Sequence, residues 1–209
     1  MPVMIALSGF KNSGKTSLAR ALLTLFADKG LSVGYVKHTD KDVLSDRSTD
    51  SGSVTALGIS ALYWGADGLR KEIPGQLAVE NLQSFFPGFD LVLVEGAKSV
   101  PLPRIWVGTL SSVPEEVAGI FAVYDRRASS GDGIFLFAPG EETVLADRVE
   151  KYITERGESP AELYVRGERI PLKPFIAQML ARTLAGIIGP LKGVNSLKEG
   201  ADIFIKSLK

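Results

Sequence analysis

Read from its amino terminus, the chain alternates short apolar runs with stripes of helical spacing. Val3 to Leu7 is a continuous apolar run that stops at Ser8-Gly9, the pattern of a strand buried on both faces. Leu18, Leu22, Leu25 and Phe26 then recur at i, i+4, i+7 and i+8. That stripe predicts an amphipathic helix over 14–29 with Gly30 as its carboxyl-terminal cap. Ser32 to Val36, Ile59 to Trp64, Leu91 to Val94, Arg104 to Val107, Ile120 to Val123 and Ile134 to Phe137 are further strand candidates. Ala78, Leu82, Phe85 and Phe86 mark a helix closed by Pro87-Gly88, and Leu145, Val149, Tyr152 and Ile153 mark another that runs to Gly157. Strands alternating with helices predict parallel βαβ units, hence an α/β fold of three layers with a mostly parallel, helix-covered sheet.

The pattern changes near Gly157-Glu158-Ser159-Pro160, so the main domain is expected over 1–157 and a small α+β extension over 160–209. In the extension, Leu163-Tyr164-Val165 and Ile170-Pro171-Leu172 flank Arg166 to Arg169 as a hairpin would. A helix follows from Phe175 and breaks near Gly189-Pro190, and Ile203 to Ile205 reads as a last strand. Fifty residues make a poor independent core, which predicts that the extension packs on the main domain or on a second subunit.

Composition narrows the function classes. Of 209 residues, 24 are Lys or Arg and 24 are Asp or Glu, so the net charge is zero and no global basic field points to nucleic acid or an anionic membrane. Cysteine is absent, which removes disulfides, thiolate nucleophiles and cysteine metal sites together. The first residues lack the basic stretch of a signal peptide. The apolar stretch from Phe175 to Ile188 is too short, and too interrupted by Gln178 and Arg182, to span a bilayer. A soluble cytoplasmic protein is the expectation.

Gly9-Phe10-Lys11-Asn12-Ser13-Gly14-Lys15-Thr16 matches G-x-x-x-x-G-K-[ST] in full, between a buried strand and an amphipathic helix. In such a P-loop, successive backbone N–H groups converge on phosphate oxygens, and Gly9 and Gly14 are expected to take φ/ψ values closed to other residues. The helix amino terminus adds positive field. Lys15 is expected to reach the β and γ phosphates and the Thr16 hydroxyl to ligate Mg²⁺, with Asn12, Ser13 and Ser17 completing the cradle. Lys11 either touches phosphate or is solvated.

Ligands of parallel sheets gather beyond the carboxyl ends of strands. Glu95, ending the apolar run Leu91 to Val94, is therefore expected beside the phosphates as a metal-orienting or water-orienting carboxylate. Lys37-His38 lies on the same edge, and His38 is the single histidine. The stretch 40–52 is rich in aspartate and nearly free of apolar residues, so it predicts a surface loop whose Asp50 could order as a metal ligand. Asp125, just after Ile120 to Tyr124, is the best-placed residue to read a guanine edge, although the Asn-Lys-x-Asp string of guanine readers is absent.

These segments together resemble the molybdopterin-guanine dinucleotide biosynthesis adapter family, MobB. The resemblance rests on the P-loop, Val36-Lys37-His38 with its acidic loop, Asp50-Ser51 before Ala56-Leu57-Gly58, Leu91 to Lys98, and Pro103-Arg104-Ile105. It implies a P-loop NTPase-type fold, GTP and Mg²⁺ as ligands, a homodimer and weak GTPase activity. It also implies a MobA-like molybdopterin guanylyltransferase as partner, with molybdopterin itself as a further ligand. Departures exist: the family's Asp-Ser/Thr-aromatic-Arg run is here Asp50-Ser51-Gly52-Ser53, lacking the aromatic and the arginine. A small-molecule kinase, with Arg126-Arg127 as a lid fragment, and a metal-delivery GTPase are the alternatives.

Overall fold

The computed structural model describes residues 2–77, 79–156, 160–161, 163–165, 168–170, 172–194, 196–197, 201 and 203. Its elements are β1 (Val3–Ser8), α1 (Lys15–Asp28), β2 (Val33–Lys37), α2 (Asp50–Thr55), β3 (Ala61–Gly65), β4 (Gly68–Glu72), α3 (Val79–Leu82) and β5 (Leu91–Glu95). They continue with β6 (Arg104–Val107), β7 (Ile120–Tyr124), β8 (Leu136–Phe137), α4 (Glu142–Arg156), β9 (Leu163–Val165), β10 (Glu168–Ile170) and α5 (Pro174–Ile188). By contacts the chain forms two compact units, one that runs to His38 and resumes at Val79, and a second made of the stretch that begins at Thr39.

In the first unit, six strands pair in the order β2-β5-β1-β6-β7-β8, every pairing parallel. β1 is central because its apolar run leaves neither face for water. Its registers, Leu7 with Glu95 on one side and Ser8 with Trp106 on the other, bring the start of the P-loop and Glu95 to one sheet edge. Ile5, Leu7, Leu93 and Ile105 pack against Leu18, Leu22 and Phe26 of α1 and Leu145 and Val149 of α4. Met4, Val92 and Val94 point the other way, against Leu82 and Phe86. Each such fully buried side chain contributes ~1.5–3 kcal/mol, which fixes the sheet on which the loops stand.

α1 ends as its glycine predicts. Gly30 has φ +82°, its N–H donates to Ala27 O at 2.9 Å, and the Leu31 N–H donates to Phe26 O at 3.0 Å. That pair of bonds is the Schellman arrangement, satisfying carbonyls the helix end would leave bare.

Three expected elements come out differently. The run Ile59 to Trp64 yields β3, which pairs antiparallel with β4 in a two-stranded hairpin of the second unit and joins no parallel sheet. The reason is the two-residue turn Ala66-Asp67 before Gly68, which returns the chain at once. One hairpin face carries Leu62, Trp64 and Leu69, all exposed. The other carries Tyr63, whose hydroxyl lies 2.9 Å from Ser45 Oγ, and the buried Glu72, which accepts from Ser45 at 2.8 Å and from Arg70. β8 is two residues long rather than four, because Asp132 Oδ1 accepts the N–H groups of Ile134, Phe135 and Leu136 at 2.7–2.9 Å. The helix expected from residue 78 is α3 followed by a 3-10 turn over Gln83–Phe85; residue 78 lies outside the described residues.

In the extension, β9 and β10 form the expected hairpin, with Glu168 opposite Val165, so the second strand starts inside the stretch read as turn. β10 lies against α3. α5 is apolar yet largely exposed, with Ala177 its one fully buried residue. The boundary residues 157–159 and residues 204–205 of the expected last strand lie outside the described residues. Among the described residues, no helix is long and apolar enough to cross a membrane.

Candidate functional site

The loop between β1 and α1 curls through two residues in the left-handed region, Asn12 at φ +62° and Gly14 at φ +99°. Gly14 is the amino-terminal cap of α1, with no side-chain cap to occupy the helix's free N–H groups. Gly9 needs to be glycine for a different reason from the one expected, since it does not have a positive φ. A Cβ there would overlap the Val107 carbonyl oxygen and lie 2.7 Å from Ser13 Oγ. The demand at Gly9 is space under the loop. The Ser13 hydroxyl is buried in that space without a hydrogen-bond partner.

The Lys15 ammonium donates to Phe10 O at 2.5 Å, closing the loop on itself. Burial pulls the Lys15 pKa below its ordinary 10.5; Glu95 opposes this, and Lys98 and Lys37 add to it by repulsion. Three ammonium groups are thus held close enough to repel. Such an arrangement is costly alone and favourable toward a polyanion.

Opposite Lys15 stands Glu95, 6% exposed at the end of β5. Its two oxygens accept from the Thr16 hydroxyl at 2.9 and 2.8 Å, Oε2 accepts from the Tyr35 hydroxyl at 2.7 Å, and Lys37 Nζ lies 3.8 Å from Oε1. Burial pushes the carboxyl pKa up, but the Tyr35 and Thr16 hydrogen bonds, with Lys37 and Lys15, outweigh it and hold the net value below the ordinary 4.5. Partial burial, with the bond to the Glu95 carboxylate, pushes the Tyr35 phenol up to about 12. A hydroxyl and an anionic carboxylate side by side make an oxygen donor set that fits a hard divalent cation such as Mg²⁺.

The segment after Glu95 is fixed by crowding and by a buried cation. Gly96 has φ +98°, and a Cβ on it would lie 2.9 Å from His38 O; Ala97 follows at φ +51°. The Arg104 guanidinium, 2% exposed, donates to Ser8 Oγ at 3.0 Å and to the carbonyls of Ala97, Lys98 and Val100 at 3.2, 3.0 and 2.5 Å. Ser8 in turn donates to Gly96 O at 2.7 Å. One side chain therefore ties the strand before the P-loop to the segment after Glu95. On the outer side, Phe10 meets Trp106 edge-on at 5.6 Å, and Lys98 Nζ lies 4.3 Å above the Phe10 ring.

A cavity of ≈ 470 Å³ opens over the loop, lined by Lys11, Asn12, Gly14, Lys15, Thr16, Ser17, Lys37, Glu95 and Arg126. The sequence-expected Lys11, Asn12, Gly14, Lys15, Thr16, Ser17 and Glu95 thus meet in one place. His38 contributes through its backbone, its N–H donating to Glu95 O at 2.9 Å. Asp125 follows β7, where its Oδ1 accepts the Arg127 N–H at 2.9 Å; its neighbour Arg126 is the one that lines the cavity. Asp50 opens α2 in the second unit, capped there by Thr49, whose hydroxyl accepts the Gly52 N–H at 3.1 Å. Tyr35 and the buried Arg104 are the functional neighbours sequence reasoning missed. β2 pairing with β5 in the register Tyr35–Leu93 is what carries the phenol to Glu95. Among the described residues, no three or more His, Cys, Asp or Glu side chains gather as a metal cluster.

Comparison with known proteins gives concordant matches. The family model described as molybdopterin guanine dinucleotide synthesis protein B, MobB, matches residues 4–120 of the 209. A molybdopterin-guanine dinucleotide biosynthesis adapter protein of Haemophilus influenzae is 29% identical over 108 residues, 49% of this chain and 61% of that protein. The match thus spans less than two thirds of that relative's length. A putative adapter protein of the same name from Methanocaldococcus jannaschii is 23% identical across 99% of both chains. Among solved structures, the MobB protein homolog from Bacillus stearothermophilus superposes with a TM-score of 0.54 at 21% identity, covering 73% of this chain and 99% of that one. Bacillus subtilis MobB gives 0.53 at 21% identity, covering 72% and 97%. These structures share the P-loop-type α/β fold.

Proposed function

The chain belongs to the molybdopterin guanine dinucleotide synthesis protein B family, and from that premise we propose that it is a GTP-binding adapter of molybdopterin-guanine dinucleotide synthesis. The observation that carries the nucleotide-binding part is the contact of Thr16 with Glu95 beside Lys15. In this reading Lys15 leaves the Phe10 carbonyl for the β and γ phosphates, while the loop N–H groups and those at the start of α1 take the remaining oxygens. The Thr16 hydroxyl and the Glu95 carboxylate are the residues that would hold Mg²⁺. When bound, the metal neutralises phosphate charge. Glu95, kept ionised by Tyr35 and Thr16, is then also the group that orients an attacking water for slow hydrolysis.

Guanine preference, a homodimer, a MobA-like guanylyltransferase partner and molybdopterin as a further ligand follow from the family premise; Asp125 as the guanine reader follows from its place after β7, and a cytoplasmic location from the composition. They stand as parts of the proposal. The test is calorimetric binding of GTP and of ATP to the full chain, titrated with Mg²⁺, for the wild type and Lys15→Ala. GTP should bind in preference to ATP and more tightly with Mg²⁺, and Lys15→Ala should lose several kcal/mol, on the order of two or more charge-assisted hydrogen bonds. Unchanged GTP affinity in Lys15→Ala would overturn the site. Turnover that depends on an added phosphate acceptor would overturn the adapter reading in favour of a kinase.

A further inference from the structure

We propose that Arg126 is a nucleotide-binding residue that holds the nucleoside-proximal end of the phosphate chain; the inference rests on the nucleotide-binding reading of the P-loop. Arg126 comes from the turn after β7 and lies directly over the amino terminus of α1. A Cβ placed on Gly14 would sit 2.7 Å from Arg126 Cδ, 3.1 Å from Nη1 and 3.3 Å from Nε. The side chain therefore rests on the bare face of the glycine that starts the phosphate cradle, and its guanidinium lines the same cavity as Lys11 and Lys15.

Two further observations point to a ligand. Arg126 is exposed and makes no hydrogen bond or ion pair with another described residue, so its donors are open to a ligand in exchange for water. It also adds positive charge to a cavity whose lining already includes Lys11, Lys15 and Lys37 against the single carboxylate of Glu95. Four cations against one carboxylate leave a net positive field beside the helix amino terminus, which an added anion would neutralise. A guanidinium, planar and with five donors, grips phosphate oxygens in a fork that an ammonium cannot reproduce.

The sheet order says which end of the anion Arg126 meets. Glu95 ends β5, on one flank of β1, while β7 lies two strands away on the other flank. With the metal and the outer phosphates at Thr16 and Glu95, the remainder of the nucleotide leaves the loop on the β6–β7 side, under Arg126. Its partner is then a phosphate oxygen that a diphosphate possesses as fully as a triphosphate.

That assignment is tested by calorimetry of GTP and GDP binding, each with and without Mg²⁺, on full-length wild type, Arg126→Ala and Arg126→Lys. Arg126→Ala should weaken GTP and GDP alike by about tenfold, with the Mg²⁺ dependence unchanged and with Arg126→Lys in between, since it keeps charge without the fork. Wild-type affinity in Arg126→Ala, or a loss confined to GTP, overturns the inference while leaving the P-loop reading intact. Absence of binding by the wild type overturns both.

Discussion

Tyr35→Phe is the cleanest perturbation of the site, because it removes one oxygen and leaves the ring. The Tyr35 hydroxyl donates to Glu95 Oε2 at 2.7 Å, and hydrogen bonds to charged groups contribute ~1.5–3 kcal/mol. Two features place the effect at the lower end. Tyr35 is 39% exposed, so water can approach its position, and Glu95 keeps both Thr16 contacts and the Lys37 charge. The expected loss is therefore about 1.5 kcal/mol of folding stability at neutral pH. Loss of a donor to the ionised form should also raise the Glu95 pKa, because the Tyr35 bond is the first of the interactions that lower it. Urea unfolding of wild type, Tyr35→Phe, Glu95→Gln and the double variant isolates the pair as a coupling energy. Coupling below about 0.3 kcal/mol, the usual limit of additivity, would refute the idea that the phenol holds the carboxylate in place.

Three other outcomes follow from the same geometry. Gly9→Ala forces a methyl group onto the Val107 carbonyl of a buried strand; it should cost ~1–3 kcal/mol in urea unfolding and abolish GTP binding by calorimetry. Phe26→Ala empties a fully buried position between α1 and the sheet and should lose ~3–5 kcal/mol without altering the residues of the phosphate loop. Glu142 concerns pH. Burial pushes its carboxyl up, but the Tyr124 hydroxyl, its own N–H and that of Gly140 outweigh it and depress the folded pKa below the ordinary 4.5. A depressed carboxyl stabilises fully above the unfolded value and loses that stability as pH falls through the folded one. The stability gap between wild type and Glu142→Gln should accordingly be widest near neutrality and close as pH drops below about 4.5, read by urea unfolding at each pH.

Much of this site is visible in the sequence because its parts are local. Gly9 to Thr16 sits between a doubly buried strand and an amphipathic helix, and Glu95 terminates the other fully apolar run. Those patterns place the loop and the carboxylate on one edge without any contact being known. What the pattern cannot carry is register. Tyr35 reaches Glu95 across 60 residues and Arg104 reaches Ser8 across 96, and nothing in either local stretch encodes a partner that distant. The run at Ile59 to Trp64 is a strand as expected, but its place outside the parallel sheet has the opposite cause. Its strand propensity is real, yet Asp67-Gly68 folds it back into a hairpin before it can enter the parallel sheet. Gly9 is legible as an obligatory glycine, but its motif does not say whether φ or space makes it so, and here it is space.

The central place of β1 has a consequence for how the protein comes into being. The strand that leads into the P-loop pairs with β5 and β6, and Thr16 meets Glu95 across 79 residues of chain. Parallel neighbours so far apart in sequence are slow to close. During synthesis β1 and the bare start of α1 precede β5 and β6, so they are exposed before their partners exist, which is the interval in which chains aggregate. A fragment ending before Val107 should bind no nucleotide despite containing the whole motif. Ligand added during refolding should act late, by trapping the closed sheet, and should leave the first collapse unhurried.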